Sequence, residues 1–322
     1  MKLLVTGGAG FIGSNFVRRT LETHPEASIT VLDALTYAGN LENLSGLEGK
    51  FEFVEGNVLD SAAVDSLVGR VDQVVHFAAE SHNDNSLSSP RPFVETNVLG
   101  IFEIIQACVK HGKRLHHVSS DEVFGDMPLD SLEKFSSRTP YRPSSPYSAT
   151  KASSDLLVRA WVRSFGLQAT ISNCSNNYGP YQHEEKLIPR TVLLSASGKK
   201  PKVYGDGSNI RDWIHVDDHT DGVWAIMKKG FVEGEAATYL LGANGERTNR
   251  EVVRAVLDHL GLDEDFIEFV PDRAGHDLRY AIDASETTRA LGWKPKHLNF
   301  EQSLGPVVDF YVDRLRAQKL RD

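Results

Sequence analysis

Short apolar runs alternate with segments of helical period through the first half of the chain, a rhythm typical of a parallel sheet with crossover helices. The predicted strands are Lys2–Thr6, Ser28–Asp33, Phe51–Glu55, Asp72–Ala78, Arg114–Ser119 and Gln168–Asn173. The predicted helices are Phe11–Thr23, Ser61–Gly69, Pro92–His111 and Pro146–Phe165. Runs such as VVHFAA are apolar on both sides of the pleat, as expected when helices cover both faces of a sheet. The pattern predicts an α/β fold with a doubly wound parallel sheet.

The local composition of the chain changes after Asn173, where glycine, proline, asparagine and charged residues become concentrated. The preceding stretch 126–146 is rich in proline and serine, which predicts a long loop. Further elements are predicted at Asp217–Lys229 (helix), Thr238–Gly242 (strand), Asn249–Leu260 (helix) and Phe300–Gln318 (helix). Because the first two of these are expected to rejoin the sheet, we predict two discontinuous domains. They are residues 1–173 plus about 212–243, and a smaller α/β substrate-binding domain of about 174–211 plus 244–322.

Composition narrows the class of partner. The chain has 322 residues and a formal net charge of -9, which disfavours nucleic acid and anionic membranes because both are polyanions. No apolar run approaches the roughly 18 residues of a membrane span. Cys108 and Cys174 cannot form a disulfide framework, and the amino terminus lacks the pattern of a signal peptide. A cytoplasmic protein is expected.

Three glycines, Gly7, Gly10 and Gly13, follow the first predicted strand and open the first helix. A turn without Cβ atoms lets the backbone approach a pyrophosphate, and a helix amino terminus supplies N–H groups for it. Asp33 ends the second strand 20 residues after Gly13, where a carboxylate accepts the ribose hydroxyls and repels a 2′-phosphate. The arrangement therefore predicts a Rossmann-type site for NAD rather than NADP. The alternative is a glycine turn that only packs helix on strand.

Two asparagines fit the same site less specifically. Asn57, after the third strand, either pairs with the adenine edge or serves as a turn residue. Asn97 lies within a predicted helix, where an asparagine has a hydrogen-bonding role or is exposed to solvent.

Tyr147 and Lys151 are four residues apart on a predicted helix and therefore share a face. An ammonium group beside a phenol lowers the pKa of the phenol, so the pair predicts a base that removes a hydroxyl proton during hydride transfer. Ser148 and Lys151 also match the SxxK pattern of serine acyl enzymes, but the SDN and KTG motifs of those enzymes are absent from the sequence.

The fifth predicted strand ends in Ser119, Ser120, Asp121 and Glu122, at the edge of the sheet where ligands bind. Adjacent carboxylates are ordinarily solvated surface charges. Beside a Tyr/Lys pair, Asp121 and Glu122 are also candidates for an acid–base pair. Two carboxyls in different environments can differ in pKa, so that one is a protonated acid and the other an ionised base. Elimination of water requires such a pair.

These motifs together resemble the extended short-chain dehydrogenase/reductases and, among them, the dTDP-glucose 4,6-dehydratase family. The motifs that carry the resemblance are GGAGFIGSN, LDALTYAGN, HFAAESH, SSDEVFGD, PYSATKASSD, SNCSNNYGPYQ, EKLIP, VYGDGSNIRDWIHVDDH and GHDLRYAID. The resemblance implies a lyase that uses NAD catalytically, takes dTDP-glucose as its substrate and forms a homodimer. The dimer contact would involve the helices at 92–111 and 146–165.

The resemblance also implies roles for individual residues. Tyr147 would take the C4 hydroxyl proton beside Lys151 and Ser120, Glu122 would take the C5 proton, and Asp121 would protonate the C6 hydroxyl. The NAD site would include Gly7, Gly10, Phe11, Ile12, Gly13, Asp33, Asn57, Val58, Ala78, Ala79, Asn97, Ser119, Tyr147, Lys151 and Asn173. The substrate site would include Ser81, His82, Asn176, Lys186, Leu187, Tyr204, Arg211, Asn249, Arg273 and His276.

Other readings of the sequence remain open. A sugar-nucleotide 4-epimerase shares Tyr147 and Lys151, and a non-catalytic NAD sensor would keep only the glycine turn. His215 and His219 form an HxxxH pair, yet no third ligand follows at zinc spacing, so we expect packed imidazoles and no metal.

Overall fold

The structure, a computed structural model, describes residues 1–272 and 276–320. The strands are β1 (Lys2–Thr6), β2 (Ser28–Asp33), β3 (Glu52–Glu55), β4 (Gln73–His76), β5 (Arg114–Ser120), β6 (Ala169–Cys174), β7 (Asn176–Tyr178), β8 (Lys202–Tyr204), β9 (Ile210–Arg211), β10 (Trp213–His215), β11 (Ala237–Leu241), β12 (Arg247–Thr248) and β13 (Glu268–Val270). The helices are α1 (Phe11–Thr23), α2 (Ser61–Gly69), α3 (Asn83–Ser88), α4 (Arg91–His111), α5 (Pro146–Phe165), α6 (Leu187–Ala196), α7 (Val216–Lys229), α8 (Asn249–His259), α9 (Ser285–Leu291) and α10 (Phe300–Lys319).

The central sheet has the order β11-β6-β5-β4-β1-β2-β3, and all neighbouring strands in it are parallel. The chain winds outward from β1 to β3, crosses back to β4 and winds outward in the other direction. This reversal opens a crevice beyond the carboxyl ends of β1 and β4, where ligands bind in open α/β sheets. The predicted doubly wound parallel sheet is confirmed.

Helices cover both faces of the sheet, which is why its strands are apolar on both sides. On one face, Phe16 of α1 and Trp224 of α7 join a buried cluster with β1 and β2. On the other face, Leu67 of α2, Ile104 of α4 and Val158 of α5 form a second cluster. The sheet is thus the middle of three layers, and its edges at the strand ends remain open for function.

Several predicted boundaries coincide with the observed ones, among them those of β1, β2, α1, α2 and α5. The strand predicted at 72–78 ends earlier, at His76, because the backbone then turns along the crevice. There it approaches Gly7 so closely that a Cβ on that glycine would lie 2.6 Å from the nitrogen of Ala78. The predicted loop at 126–146 contains no named helix or strand before Pro146, and the buried ring of Phe135 anchors it.

A smaller unit of helices and short strand pairs stands beside the sheet. Val192 of α6, Val256 of α8 and Val308 of α10 form its core together with Tyr178 and Trp213. The segment α7–β11 leaves this unit, since β11 pairs with β6 and α7 packs on α1. These contacts support the predicted division into residues 1–173 plus 212–243 and 174–211 plus 244–322, which stays a prediction.

Helix α4 is the one described helix that is long and apolar enough to cross a membrane, with a mean hydropathy of 1.3 over its most apolar window. Length and composition alone do not separate such a span from a core helix. In this protein Ile101, Ile104 and Ile105 of α4 are fully buried against α2 and the sheet. The helix is therefore part of the three-layer core.

Replacing Ile104 with alanine tests the importance of this layer. Its side chain is 0% exposed, so we expect Ile104→Ala to lower the free energy of unfolding by about 2–5 kcal/mol through lost burial and a residual cavity. Leu132, which is 95% exposed, supplies the control, and Leu132→Ala should change the same quantity by less than about 0.5 kcal/mol. Equal effects in denaturant unfolding would contradict this assignment.

Candidate active site

The glycine turn between β1 and α1 is built without room for side chains. Gly7 has a φ of +69°, and a Cβ on Gly13 would lie 2.2 Å from the carbonyl oxygen of Gly7. Gly10 caps α1 without a side-chain hydrogen bond, and the first turn carries no acidic residue. The positive end of the helix dipole is therefore open toward the crevice, as an anionic phosphate group requires.

Asp33 lies at the carboxyl end of β2 on the wall of the same crevice, and only 8% of it is exposed. Its two carboxylate oxygens accept the backbone N–H groups of Ala9 and Leu35, each at 2.9 Å. These bonds fix the carboxylate in place. Each oxygen has two lone pairs, so acceptor capacity remains for a ligand hydroxyl.

The remaining predicted NAD residues divide into two groups. Phe11, Ile12, Asn57, Val58, Ala78, Ala79, Ser119, Tyr147 and Lys151 line the crevice. Asn97 does not line it, and its amide instead links the backbone of Glu80 to the hydroxyl of Thr150. Asn173 lies behind the wall, where its amide donates to the carbonyl of Ser120 at 3.1 Å. Both act in this structure as supports of the crevice.

Asn57 makes the contact expected of a turn residue, because its side-chain oxygen accepts the N–H of Leu59 at 3.0 Å. The residue also lines the crevice. The turn interpretation and the adenine interpretation are thus compatible for this residue.

Tyr147 and Lys151 lie one turn apart near the start of α5 and line the crevice, as their spacing predicts. Ser145 and Ser148 form a capping box that fixes where α5 begins. The side chains of Tyr147 and Lys151 are largely buried, and the ammonium of Lys151 donates to the carbonyl of Val118 on β5 at 2.7 Å. This bond holds the ammonium of Lys151 near the carboxyl end of β5.

The predicted lowering of the pKa of Tyr147 is wrong for this structure. Burial, followed by the charge of Glu122, raises the pKa of Tyr147 well above its ordinary value, although a hydrogen bond with Ser120 acts in the opposite direction. The ammonium of Lys151 is directed at the carbonyl of Val118. The phenol is therefore protonated at rest.

Asp121 and Glu122 follow β5 in a short 3₁₀ turn that Ser120 caps by accepting the N–H of Glu122 at 3.2 Å. Burial and then the charge of Glu122 raise the pKa of Asp121 well above that of an ordinary carboxyl. The Oδ2 atom of Asp121 has no hydrogen-bond partner within the described part of the chain. Asn83 donates to Glu122 at 3.1 Å. The two carboxyls thus occupy different environments, as predicted.

Of the predicted substrate residues, Ser81, Asn176, Lys186 and Leu187 line the crevice. The ammonium of Lys186 donates to the carbonyl of Ser81 at 3.0 Å and joins the two units. His82 caps α3 behind them, 3.7 Å from Glu185. The crevice encloses about 350 Å³. It therefore extends from the glycine turn past Tyr147 to the start of α6.

Tyr204, Arg211, Asn249 and His276 lie outside the wall of this crevice. The guanidinium of Arg211 donates to the carbonyl of Asp277 at 2.9 Å and stacks 4.4 Å from the ring centre of Tyr280. His276 contacts Asp272 at 2.7 Å. Arg273 is outside the described residues. Arg211 nevertheless lies close enough to Asp121 for its charge to lower the pKa of that carboxyl, against the larger effect of burial.

Sequence reasoning missed Cys174 and Glu185 on the crevice wall, and it missed Asn83, which donates to Glu122. Asn83 precedes no recognisable motif, and its bond to Glu122 spans 39 residues of sequence. No local pattern could have identified it, because Asn83 follows β4 and Glu122 follows β5, and the pairing of these two strands brings their carboxyl ends together.

The two histidines of the HxxxH pair, His215 and His219, do not point to a common metal position. His219 is buried and bonds to Asn177 at 2.8 Å, whereas His215 stacks on His297 with 4.1 Å between ring centres. His215, Asp217 and His297 do lie within 4.8 Å of one another. However, Nδ1 of His215 accepts the N–H of Asp217, so its other ring nitrogen carries the proton and cannot ligate a metal without breaking this cap.

Alanine at position 13 tests the glycine turn. The added methyl group would lie 2.2 Å from a backbone oxygen, and no flexible side chain could move aside to relieve the clash. We therefore expect Gly13→Ala to lower the free energy of unfolding by about 2–3 kcal/mol. Gly10→Ala is the control, since its Cβ would meet the same oxygen at 3.3 Å. Denaturant unfolding that shows no difference between the two variants would refute the steric argument.

The comparisons with known proteins agree with this geometry. A family model described as GDP-mannose 4,6 dehydratase matches residues 4–305. The dTDP-glucose 4,6-dehydratase of Mycolicibacterium smegmatis is 56% identical over 97% of this chain and 93% of its own length. That of Escherichia coli is 44% identical, with 97% of this chain and 94% of that protein covered.

Solved structures show the same fold. The dTDP-glucose 4,6-dehydratase of Streptomyces venezuelae, solved with NAD and dTDP bound, has a TM-score of 0.92 and 43% identity, with 97% of each chain covered. A UDP-glucose 4-epimerase of Thermotoga maritima has a TM-score of 0.89 but only 25% identity, with 98% of this chain and 100% of that chain covered. The chain therefore belongs to the family that the GDP-mannose 4,6-dehydratase model describes and, within it, to the dTDP-glucose 4,6-dehydratases.

Proposed function

We propose that this protein is an NAD-dependent lyase that converts dTDP-glucose into dTDP-4-keto-6-deoxyglucose and water. The observation that carries the proposal is the placement of Asp121 and Glu122 beside Tyr147 and Lys151 on one crevice wall. Oxidation at C4 needs only the Tyr/Lys pair. The added protonated acid and its neighbouring carboxylate are what an elimination of water requires.

The crevice fits NAD on several counts. A turn in which Gly13 has no room for a Cβ gives a diphosphate close access to the backbone. The uncapped amino end of α1 favours the negative charge, and Asp33 offers a carboxylate for the ribose hydroxyls. Bound NAD would accept the hydride from C4 of the sugar and return it at C6.

Tyr147 would hold the proton of the C4 hydroxyl during oxidation. Because its phenol is protonated at rest, it must lose that proton before it can act as a base. Lys151 is the cation one turn away that would stabilise the phenolate. Ser120, at the end of β5, would donate a hydrogen bond to the C4 oxygen.

The two carboxyls would carry out the elimination. A ketone at C4 makes the C5 proton acidic, and Glu122 would remove it while Asp121 donates its proton to the departing C6 hydroxyl. Hydride then returns to C6, and Glu122 gives its proton back to C5. Asp121 ends with one proton fewer and Tyr147 with one more, so proton exchange through solvent restores the starting state.

The substrate would lie between the two units. Ser81, Asn176, Lys186 and Leu187 line the crevice wall and would contact the sugar and thymidine. We propose that Tyr204, Arg211, Asn249, Arg273 and His276 complete the site for diphosphate, sugar and base. Arginine suits a diphosphate because its fork binds two oxygens.

Glutamine at position 122 tests the proposal. Glu122→Gln cannot accept the C5 proton, so formation of the alkali-absorbing keto-sugar from dTDP-glucose should fall by roughly 10²–10⁴-fold. C4 oxidation should persist, and reduced nicotinamide should accumulate in a single turnover. Glu133→Gln, on an exposed side chain of the neighbouring loop, is the matched control and should keep the wild-type rate.

The same assay identifies the competing activity. Wild-type protein that forms only a C4 epimer, or a Glu122→Gln variant with an unchanged rate, would favour an epimerase and contradict the dehydratase. Parallel reactions with UDP- and GDP-glucose would establish the base selectivity.

We also propose that the protein is a homodimer joined through α4 and α5. These helices expose a shared apolar face, on which Leu99 is 50%, Leu156 57% and Phe165 60% exposed. An exposed apolar face of this kind marks a protein contact. Its position matches the dimer contact that the family resemblance implies.

Aspartate at position 156 would disrupt this contact. We expect Leu156→Asp to be monomeric in light scattering because it places a charge in the apolar interface, whereas Leu132→Asp, on an exposed loop, should remain dimeric. A monomeric wild-type protein would remove the proposal.

Finally, we propose a cytoplasmic location. Cys108 and Cys174 are both free and buried, and such thiols are typical of a reducing compartment.

A further inference from the structure

A buried carboxylate lies beneath the crevice and takes no direct part in the proposed reaction. Asp155 is one turn beyond Lys151 on α5 and is 0% exposed. Its Oδ2 atom accepts hydrogen bonds from the hydroxyl of Tyr141 at 2.8 Å, the hydroxyl of Ser119 at 3.1 Å and the amide of Asn173 at 3.1 Å. Its Oδ1 atom lies 3.3 Å from a ring nitrogen of His117. The group has many donors around it and no access to water.

The surroundings of Asp155 favour an ionised carboxylate. Burial by itself would raise the pKa of Asp155, yet His117, Lys151 and Tyr141 together lower it below its ordinary value. Burial also lowers the pKa of His117, which is therefore neutral near pH 7. Of the two basic groups that act on Asp155, Lys151 is thus the one that carries a charge.

The other titratable groups that face Lys151 do not supply a countercharge. Burial lowers the pKa of His76 on β4 and of His117 on β5, and it raises the pKa of Cys174 on β6 to about 12. Tyr147, on the same helix, is protonated as described above. Burial lowers the pKa of Lys151 to about 8, and Asp155 is the strongest influence in the opposite direction.

The same carboxylate also joins the ends of two central strands. Ser119 of β5 and Asn173 of β6 each donate a hydrogen bond to the Asp155 carboxylate. The amide of Asn173 also donates to the carbonyl of Ser120. Ser120 in turn caps the turn that carries Glu122. A chain of direct contacts therefore runs from Asp155 to the acid–base pair.

We propose that Asp155 is a positioning residue that keeps the ammonium of Lys151 charged and holds the ends of β5 and β6 beneath Ser120 and Glu122. This inference rests on the proposed dehydratase function. Asp155 would not touch the substrate, and it would act through Lys151 and through the backbone of Ser120.

A pH profile of kcat tests the charge. Activity should decline above about pH 8 in the wild-type enzyme as Lys151 loses its proton. Removing the negative charge in Asp155→Asn should move this decline to lower pH by about one unit and reduce kcat roughly tenfold or more, with little change in KM. Asp155→Glu should return the decline toward its wild-type position.

Tyr141→Phe is the matched control, since it removes a hydrogen bond to the same oxygen but keeps the charge. Its profile should decline at the wild-type pH. An Asp155→Asn profile that also declines at the wild-type pH would overturn the proposal. Failure of the wild-type protein to form the keto-sugar would instead refute the dehydratase function and leave the charge pairing to the following measurement.

A stability cycle tests the charge pairing without catalysis. Lys151→Met and Asp155→Asn should each destabilise the fold because the remaining buried charge loses the opposite charge that acts on it from one helical turn away, whereas the double variant should lose clearly less than the sum of the two. If Asp155→Asn alone does not fold, recovery of a folded protein in the double variant supports the pairing. Additive losses, or a double variant that remains unfolded, would overturn it.

Discussion

The parallel arrangement of the central strands is the constraint on which the site depends. Parallel strands present all their carboxyl ends at one edge of the sheet, so residues that are far apart in sequence meet there. The glycine turn follows β1, Asp33 ends β2 and Ser119 to Glu122 follow β5. Helix α5 begins at this edge, because a crossover helix runs antiparallel to its strands. Its first turns therefore place Tyr147 and Lys151 beside the carboxyls.

The order of the strands then decides which of these groups share a crevice. Reversal of the winding between β1 and β4 separates the helices on either side and leaves an opening there. The glycine turn forms one wall of the opening and the end of β5 contributes to another. A single crevice thus combines an anion-binding helix terminus with an acid–base group.

Burial gives these groups their different chemical character. Asp121 and Asp155 are both enclosed carboxyls, yet they differ in hydrogen bonding. Asp155 is surrounded by donors and is ionised, whereas Oδ2 of Asp121 lacks a partner among the described residues and the pKa of Asp121 is raised by burial. The same side chain can therefore serve as a fixed charge in one place and as a proton donor in the other.

The sequence by itself determined the local elements and their order, because the period of apolar residues and the positions of glycine and proline are local signals. It also placed the glycine turn, Asp33 and the two carboxyls at the correct strand ends, and the Tyr147–Lys151 pair near the start of the helix that follows β5. The helix α6 and the short strands of the smaller unit were not predicted. Their apolar residues pack against segments that are distant in the sequence, so no local pattern marks these elements.

Only the tertiary structure decided the electrostatics and the second layer of the site. The phenol of Tyr147 has a raised pKa because other elements enclose it, which no spacing of residues reveals. Asn97 and Asn173 hold the walls, and Arg211 contacts the carbonyl of Asp277, because the packing brings partners within reach. Desolvation and long-range hydrogen bonds depend on the complete fold, and these two effects determine which groups carry charge.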